Sequence, residues 1–200
     1  MKAATRVLAL HGYHGSAQIL RQQIAPLSAA LPADTEVVLV DAPSLSHGDF
    51  GWWHDGFRGW ERTRDAVLDL AAQERFDGVF GFSQGAALAG LLCALQQSDP
   101  TNALRFKFAV MVGGFAGHEP QHAALFERKI TLPSLHVMGA SDGIVPMKDS
   151  RGLAERFDNP VIVHHAGGHL IPAEAAITSQ VAHFMAGRGI VAAVAGGHGA

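Results

Sequence analysis

Short apolar runs recur along the chain at residues 7–10, 37–40, 79–82, 108–112, 134–138 and 161–164, each bounded by Gly, Pro or polar turn residues. Runs of this length, rich in Val, Leu and Phe, read as buried strands. The first extends back to Arg6, whose charge interrupts the N-terminal apolar stretch, and no small-residue cleavage site follows; it reads as a strand and not as a signal peptide. Between the strands, near residues 17–31, 59–73, 84–97, 147–157 and 174–185, apolar side chains return at helical spacing with few β-branched residues. Strand alternating with helix predicts an α/β fold with a mainly parallel central sheet, helices on both faces and no large lid domain. In such a fold the chemistry belongs to loops leaving the carboxyl ends of the strands.

One connection breaks this rhythm. From Ala42 to about Gly59, small and polar residues mix with Phe50, Trp52, Trp53 and Phe57, with Trp60 just beyond, and Trp52, Trp53 and Trp60 are all the tryptophans of the chain. A long aromatic loop in a compact domain is expected to be a functional cover.

Composition narrows the picture further. A chain of 200 residues that is 48% hydrophobic and 16% charged buries a core of its own and is expected to form one domain, residues 1–187, followed by a Gly/Ala-rich tail, 188–200. Scattered basic residues and a formal charge of -3 exclude an electrostatic nucleic-acid binder. Cys93 is the only cysteine, which excludes an intrachain disulfide and a Cys-based zinc cluster and fits a reducing cytoplasm. No apolar run approaches the roughly 20 residues of a membrane-spanning helix. The expectation is a soluble cytoplasmic monomer or homodimer.

The chemistry lies in Gly81-Phe82-Ser83-Gln84-Gly85, where an apolar strand runs through G-x-S-x-G into an alanine-rich helix. This is the nucleophile-elbow pattern in its required context: the serine sits on a sharp turn, and the flanking glycines let strand and helix approach without Cβ clashes. A serine hydroxyl needs a histidine to take its proton and an acid to orient that histidine, in chain order Ser, acid, His for this fold. Asp142 follows the strand at 134–138, whereas Asp149 comes after Pro146 and reads as a cap or first-turn acid of the next helix. His169 follows two glycines after the last strand, while His164 and His165, at the strand end, read as one surface and one core histidine. The oxyanion hole needs two backbone N–H donors, expected from Gln84 and, in the loop His11-Gly12-Tyr13-His14-Gly15, from Tyr13. Trp52, Trp53 and Phe115 are expected to contact substrate.

Taken together, LHGYHGSA, the WW pair, FDGVFGFSQGAALAGLL, FKFAVMVGGF, PSLHVMGASDGIVP and HHAGGHLIP resemble the FSH-type, OVCA2-like serine hydrolases, and beyond them compact esterases and acyl-protein thioesterases. The likeness runs from about Val7 to Pro172. It implies an α/β-hydrolase fold, hydrolysis of carboxylic esters without a cofactor, and a triad formed by the serine of FSQG, the aspartate of D-x-x-V-P and the histidine of GGH: here Ser83, Asp142 and His169. Relatives often carry Ser-Gly-Phe where this chain has Gly113-Gly114-Phe115.

Two rivals are weaker. His118-Glu119-Pro120-Gln121-His122 matches the H-E-x-x-H zinc motif, but Pro120 is tolerated only in a first helical turn, which leaves His118 outside the helix; no metal is expected. A non-catalytic binder with a hydrolase fold would not need a nucleophile, base, acid and oxyanion loop together. The expected activity is a serine esterase acting on a small-molecule ester, with a thioester as the alternative.

Overall fold

A computed structural model describes residues 4–46, 49–117, 120–187 and 189. The chain runs β1 (Thr5–Leu10), α1 (Ala17–Gln23), α2 (Ala25–Ala30), β2 (Thr35–Val40), β3 (Ser44–Ser46), β4 (Asp49–Phe50), α3 (Trp60–Gln73), β5 (Gly78–Phe82), α4 (Gln84–Ser98), β6 (Phe108–Val112), α5 (Pro120–Leu125), β7 (Ser134–Gly139), α6 (Met147–Ala154), β8 (Val161–His165) and α7 (Ala175–Ala186). Six strands form one sheet in the order β2-β1-β5-β6-β7-β8, and every neighbouring pair is parallel. The predicted α/β-hydrolase architecture is present, with no large lid insertion among the described residues.

Strand alternation builds two cores. Leu8, Leu10, Val79, Ala109 and Met111 face one side, packing with α3, α4 and α6 through Val67, Leu88 and Leu153. Val7, Ala9, Phe80, Phe82 and Val110 face the other, against Leu20, Leu27, Ile177 and Phe184 of α1, α2 and α7. Helix α4 carries no polar stripe from Gln84 to Ala94, and those residues are buried against the sheet.

The chain leaves β1 toward β2 on one side and returns to β5 on the other. The strand order therefore reverses at β1, and the loops after β1 and β5 part at their carboxyl ends, which is where a crevice forms in an open parallel sheet.

Three local features depart from the periodicity. The helix expected over 17–31 breaks at Ile24, because Pro26 at the start of α2 has no N–H with which to continue the α1 ladder. The long connection contains a small antiparallel hairpin, β3 with β4, and a single 3₁₀ turn at Asp55–Phe57. Helix α5 is described over Pro120–Leu125, and His118 and Glu119 of the zinc motif lie outside the described residues. The tail expected at 188–200 also lies outside them, Gly189 apart.

Inside β7, His136 is buried with Nε2 3.1 Å from Ser134 Oγ and its ring edge-on to Phe157. Burial disfavours its charged form and pushes its pKa down to about 3. The unfolded chain thus binds a proton below about pH 6.5 that the native chain refuses, so stability is full above that pH and falls as pH drops, by up to ~1.4 kcal/mol per unit. Urea titrations between pH 7 and 4 check this: the wild type should lose stability more steeply than His136→Asn, by about 1 kcal/mol per pH unit. Equal slopes would rule out His136 as the source.

Candidate active site

The turn between β5 and α4 carries Ser83 at φ 54° and ψ -119°, a conformation that L-residues rarely adopt and that costs about 1–3 kcal/mol. The surrounding backbone enforces it. The Ser83 N–H donates to Val112 O at 2.9 Å, and Ser83 O accepts from the Ala86 and Ala87 N–H groups at 2.9 and 3.0 Å. A Cβ on Gly81 would fall 2.2 Å from Gly85 O, and one on Gly85 would fall 2.2 Å from Leu10 O. Both glycines are thus required by the contact of the helix start with β5 and β1.

Ser83 Oγ lies 2.9 Å from His169 Nε2, and His169 Nδ1 lies 2.7 Å from Asp142 Oδ2. Asp142 Oδ1 accepts from the Ile144 and Val145 N–H groups at 2.9 and 2.8 Å. The Asp142 side chain is 2% exposed and that of His169 11%. Burial pushes the Asp142 pKa up, but the hydrogen bonds from His169, Val145 and Ile144 outweigh it and hold the carboxyl below its ordinary value. The imidazole also packs against the Phe82 ring, with centroids 4.9 Å apart.

Backbone bonds join the two loops that bear Asp142 and His169. Ala140 N–H donates to His165 O, Ser141 N–H to Gly167 O and Ser141 Oγ–H to Ala166 O, at 2.8, 3.1 and 3.0 Å. Gly113 sits beside the pair in the left-handed region, φ 55°, where a Cβ would stand 3.2 Å from His169 Cε1. His164 is exposed and His165 buried at the end of β8, and Asp149 occupies the first turn of α6.

The loop after β1 packs directly on Ser83: a Cβ at Gly12 would lie 3.3 Å from Ser83 Cβ. Among the described residues, neither the Tyr13 nor the Gln84 backbone N–H donates to a protein acceptor. The tight turn closes through Gly15 N–H to Gly12 O at 3.0 Å. His11, fully buried, places Nδ1 2.7 Å from Gly12 O and accepts at Nε2 from Ala42 N–H at 3.0 Å.

The aromatic loop is fastened to the same helix start. Gln84 Oε1 accepts from Trp52 N–H, and Gln84 Nε2 donates to Trp53 O, both at 2.9 Å. Thr63 Oγ1 donates to Trp52 O at 2.5 Å. This role of the Gln84 side chain was not legible in the sequence, because its partners lie more than thirty residues away and no local pattern links them.

A cavity of about 600 Å³ opens above Ser83, walled by Tyr13, Trp53, Phe57, Gln84, Phe115 and Val145, with His54, Asp55, Gly56, Ile144 and Asp149 completing its lining. Trp53 and Phe115, both expected to contact substrate, line this cavity. Trp52 does not: it is 2% exposed, its Nε1–H donates inward to His11 O at 2.8 Å, and it borders a separate cavity of about 70 Å³. The structure turns Trp52 away from this cavity because its indole N–H, once buried, needs an acceptor and finds one in the His11 carbonyl.

Among the described residues no group of three His, Cys, Asp or Glu is placed to hold a metal ion, and no helix is long and apolar enough to cross a membrane. Residues 1–181 match the serine hydrolase (FSH1) family. The esterase OVCA2 of Xenopus tropicalis is 35% identical over 204 residues, covering 86% of this chain and 88% of its own, and that of Bos taurus is 36% identical over 209 residues, covering 85% and 90%. In fold the chain is similar to acyl-protein thioesterase 2 of Zea mays, with a TM-score of 0.68 at 20% identity over 94% of this chain and 95% of that one. It is likewise similar to Est1E of Butyrivibrio proteoclasticus, with a TM-score of 0.69 at 18% identity over 94% and 89%.

Proposed function

The chain belongs to the serine hydrolase (FSH1) family, and on that premise we propose that it is a carboxylesterase working through an acyl-enzyme on Ser83. Ser83 Oγ attacks the ester carbonyl while His169 Nε2 takes its proton. Asp142 keeps Nδ1 protonated and stabilises the imidazolium that forms. The Tyr13 and Gln84 N–H groups bind the oxyanion. His169 then returns its proton to the departing alcohol, and a water activated by the same imidazole releases the acid. The observation that carries this reading is the line from Ser83 Oγ through His169 to Asp142, with spacings of 2.9 and 2.7 Å, beneath an aromatic-lined cavity.

The acyl chain lies against Trp53 and Phe115. Rates on p-nitrophenyl esters from acetate to octanoate, with matched thioesters, test both the activity and the pocket. The wild type should favour esters, and Trp53→Ala should lower kcat/KM roughly 10-fold or more for chains long enough to reach the indole, leaving acetate nearly unchanged. A folded wild type inert on every substrate defeats the activity; a preference for thioesters moves it to thioester hydrolysis. An unaltered chain-length profile removes Trp53 from the pocket.

A further inference from the structure

Building on the esterase reading above, we infer that His11 is a positioning residue that fixes the peptide unit from which the Tyr13 N–H projects. Its partners determine its protonation. The Ala42 N–H can only donate, so Nε2, 3.0 Å away, carries no proton. The Gly12 carbonyl can only accept, so the hydrogen sits on Nδ1, 2.7 Å from that oxygen. Burial disfavours the imidazolium and keeps the ring in this neutral form.

The Gly12 oxygen therefore receives two donors, His11 Nδ1–H and Gly15 N–H at 3.0 Å. Among the described residues there is no cis peptide, and in a trans peptide the C=O and N–H point in opposite directions. Anchoring the Gly12 oxygen on two donors behind the loop sends the Tyr13 N–H away from them, on the loop that packs against Ser83. A flipped peptide would leave the imidazole Nδ1–H unsatisfied in a fully buried position. The Trp52 indole bonded to His11 O, at 2.8 Å and with ring centroids 4.9 Å apart, holds His11 itself in place. His11 touches no reacting atom; it acts through the Gly12–Tyr13 peptide.

Two substitutions separate this role from simple packing. His11→Asn puts an N–H₂ where Nδ1 stood and preserves donation to Gly12 O, while losing the acceptor for Ala42. His11→Gln reaches the Nε2 position, so it preserves that acceptor and loses the donor to Gly12 O. Both should lower the midpoint of thermal unfolding. On p-nitrophenyl butyrate, His11→Gln should lower kcat about 10- to 100-fold with KM within about 3-fold, and His11→Asn should stay within about 3-fold of wild type in both.

Equal losses of kcat in the two variants, or a larger loss in His11→Asn, would overturn the inference while the wild type still turns over ester. A wild type without turnover would overturn the esterase reading and this inference with it. Should either variant fail to fold, a long-range ¹H–¹⁵N spectrum of the wild type at pH 7 decides. A His11 ring protonated at Nδ1 alone is the expected result, and protonation at Nε2 overturns the inference.

Discussion

Ser83→Ala should lower ester turnover by roughly four to six orders of magnitude while leaving the unfolding curve in place. The substitution removes only Oγ. The backbone bonds that hold residue 83 in its unusual conformation, from its N–H to Val112 and from Ala86 and Ala87 to its carbonyl, do not involve the side chain. Alanine meets the same backbone strain as serine, so stability should change by less than about 1 kcal/mol. Without the hydroxyl no acyl-enzyme can form, and the residual rate comes from the oxyanion donors and binding acting on water. Intact mass after fluorophosphonate treatment checks the same point independently: one adduct on wild type, none on Ser83→Ala. An adduct that persists, or activity that survives in the purified variant, would place the nucleophile elsewhere.

Asp142→Asn should lower kcat by about three to four orders of magnitude with KM little changed. Asp142 accepts from three N–H groups, those of Ile144 and Val145 on one oxygen and His169 Nδ1–H on the other. An amide has one oxygen and one N–H₂ group. With its oxygen toward Ile144 and Val145, the N–H₂ group faces Nδ1, which must then accept; the ring proton moves to Nε2 and points at Ser83 Oγ, where no base remains. Turned the other way, the N–H₂ group opposes two backbone donors, and the loop bearing residue 142 is disrupted. Either arrangement removes the base. Steady-state kinetics on one ester settle the matter: a variant retaining more than a tenth of wild-type kcat would show that the carboxylate does not set the histidine tautomer.

The strands of the main sheet were readable because each is a short apolar run closed by turn residues, and the positions of Ser83, Asp142 and His169 follow from that reading as loops after β5, β7 and β8. Other features were hidden for identifiable reasons. Strands β3 and β4 span three and two residues, too few to show a period. Pro26 was visible, yet the apolar spacing continues across it, so periodicity alone carries one helix where the backbone makes two. Trp52 and Trp53 are adjacent and chemically alike; which indole turns inward is decided by a carbonyl at His11, 41 residues away. His11 reads locally as the start of a loop, and its part in holding that loop emerges only when Ala42 and Gly12 meet its two ring nitrogens.

Gln84 joins two parts of the site in a single residue. Its side chain grips the backbone of Trp52 and Trp53, and it begins the helix that follows Ser83. These two bonds, with that of Thr63 to Trp52 O, tie the Trp52–Trp53 segment to the start of α4, and an outward swing of this segment would first have to break them. On the esterase reading, turnover is therefore expected to proceed without an opening step. Ester hydrolysis should begin without a lag, gain nothing from micelles or other interfaces, and respond to solvent viscosity only as far as diffusion of substrate into the mouth limits it.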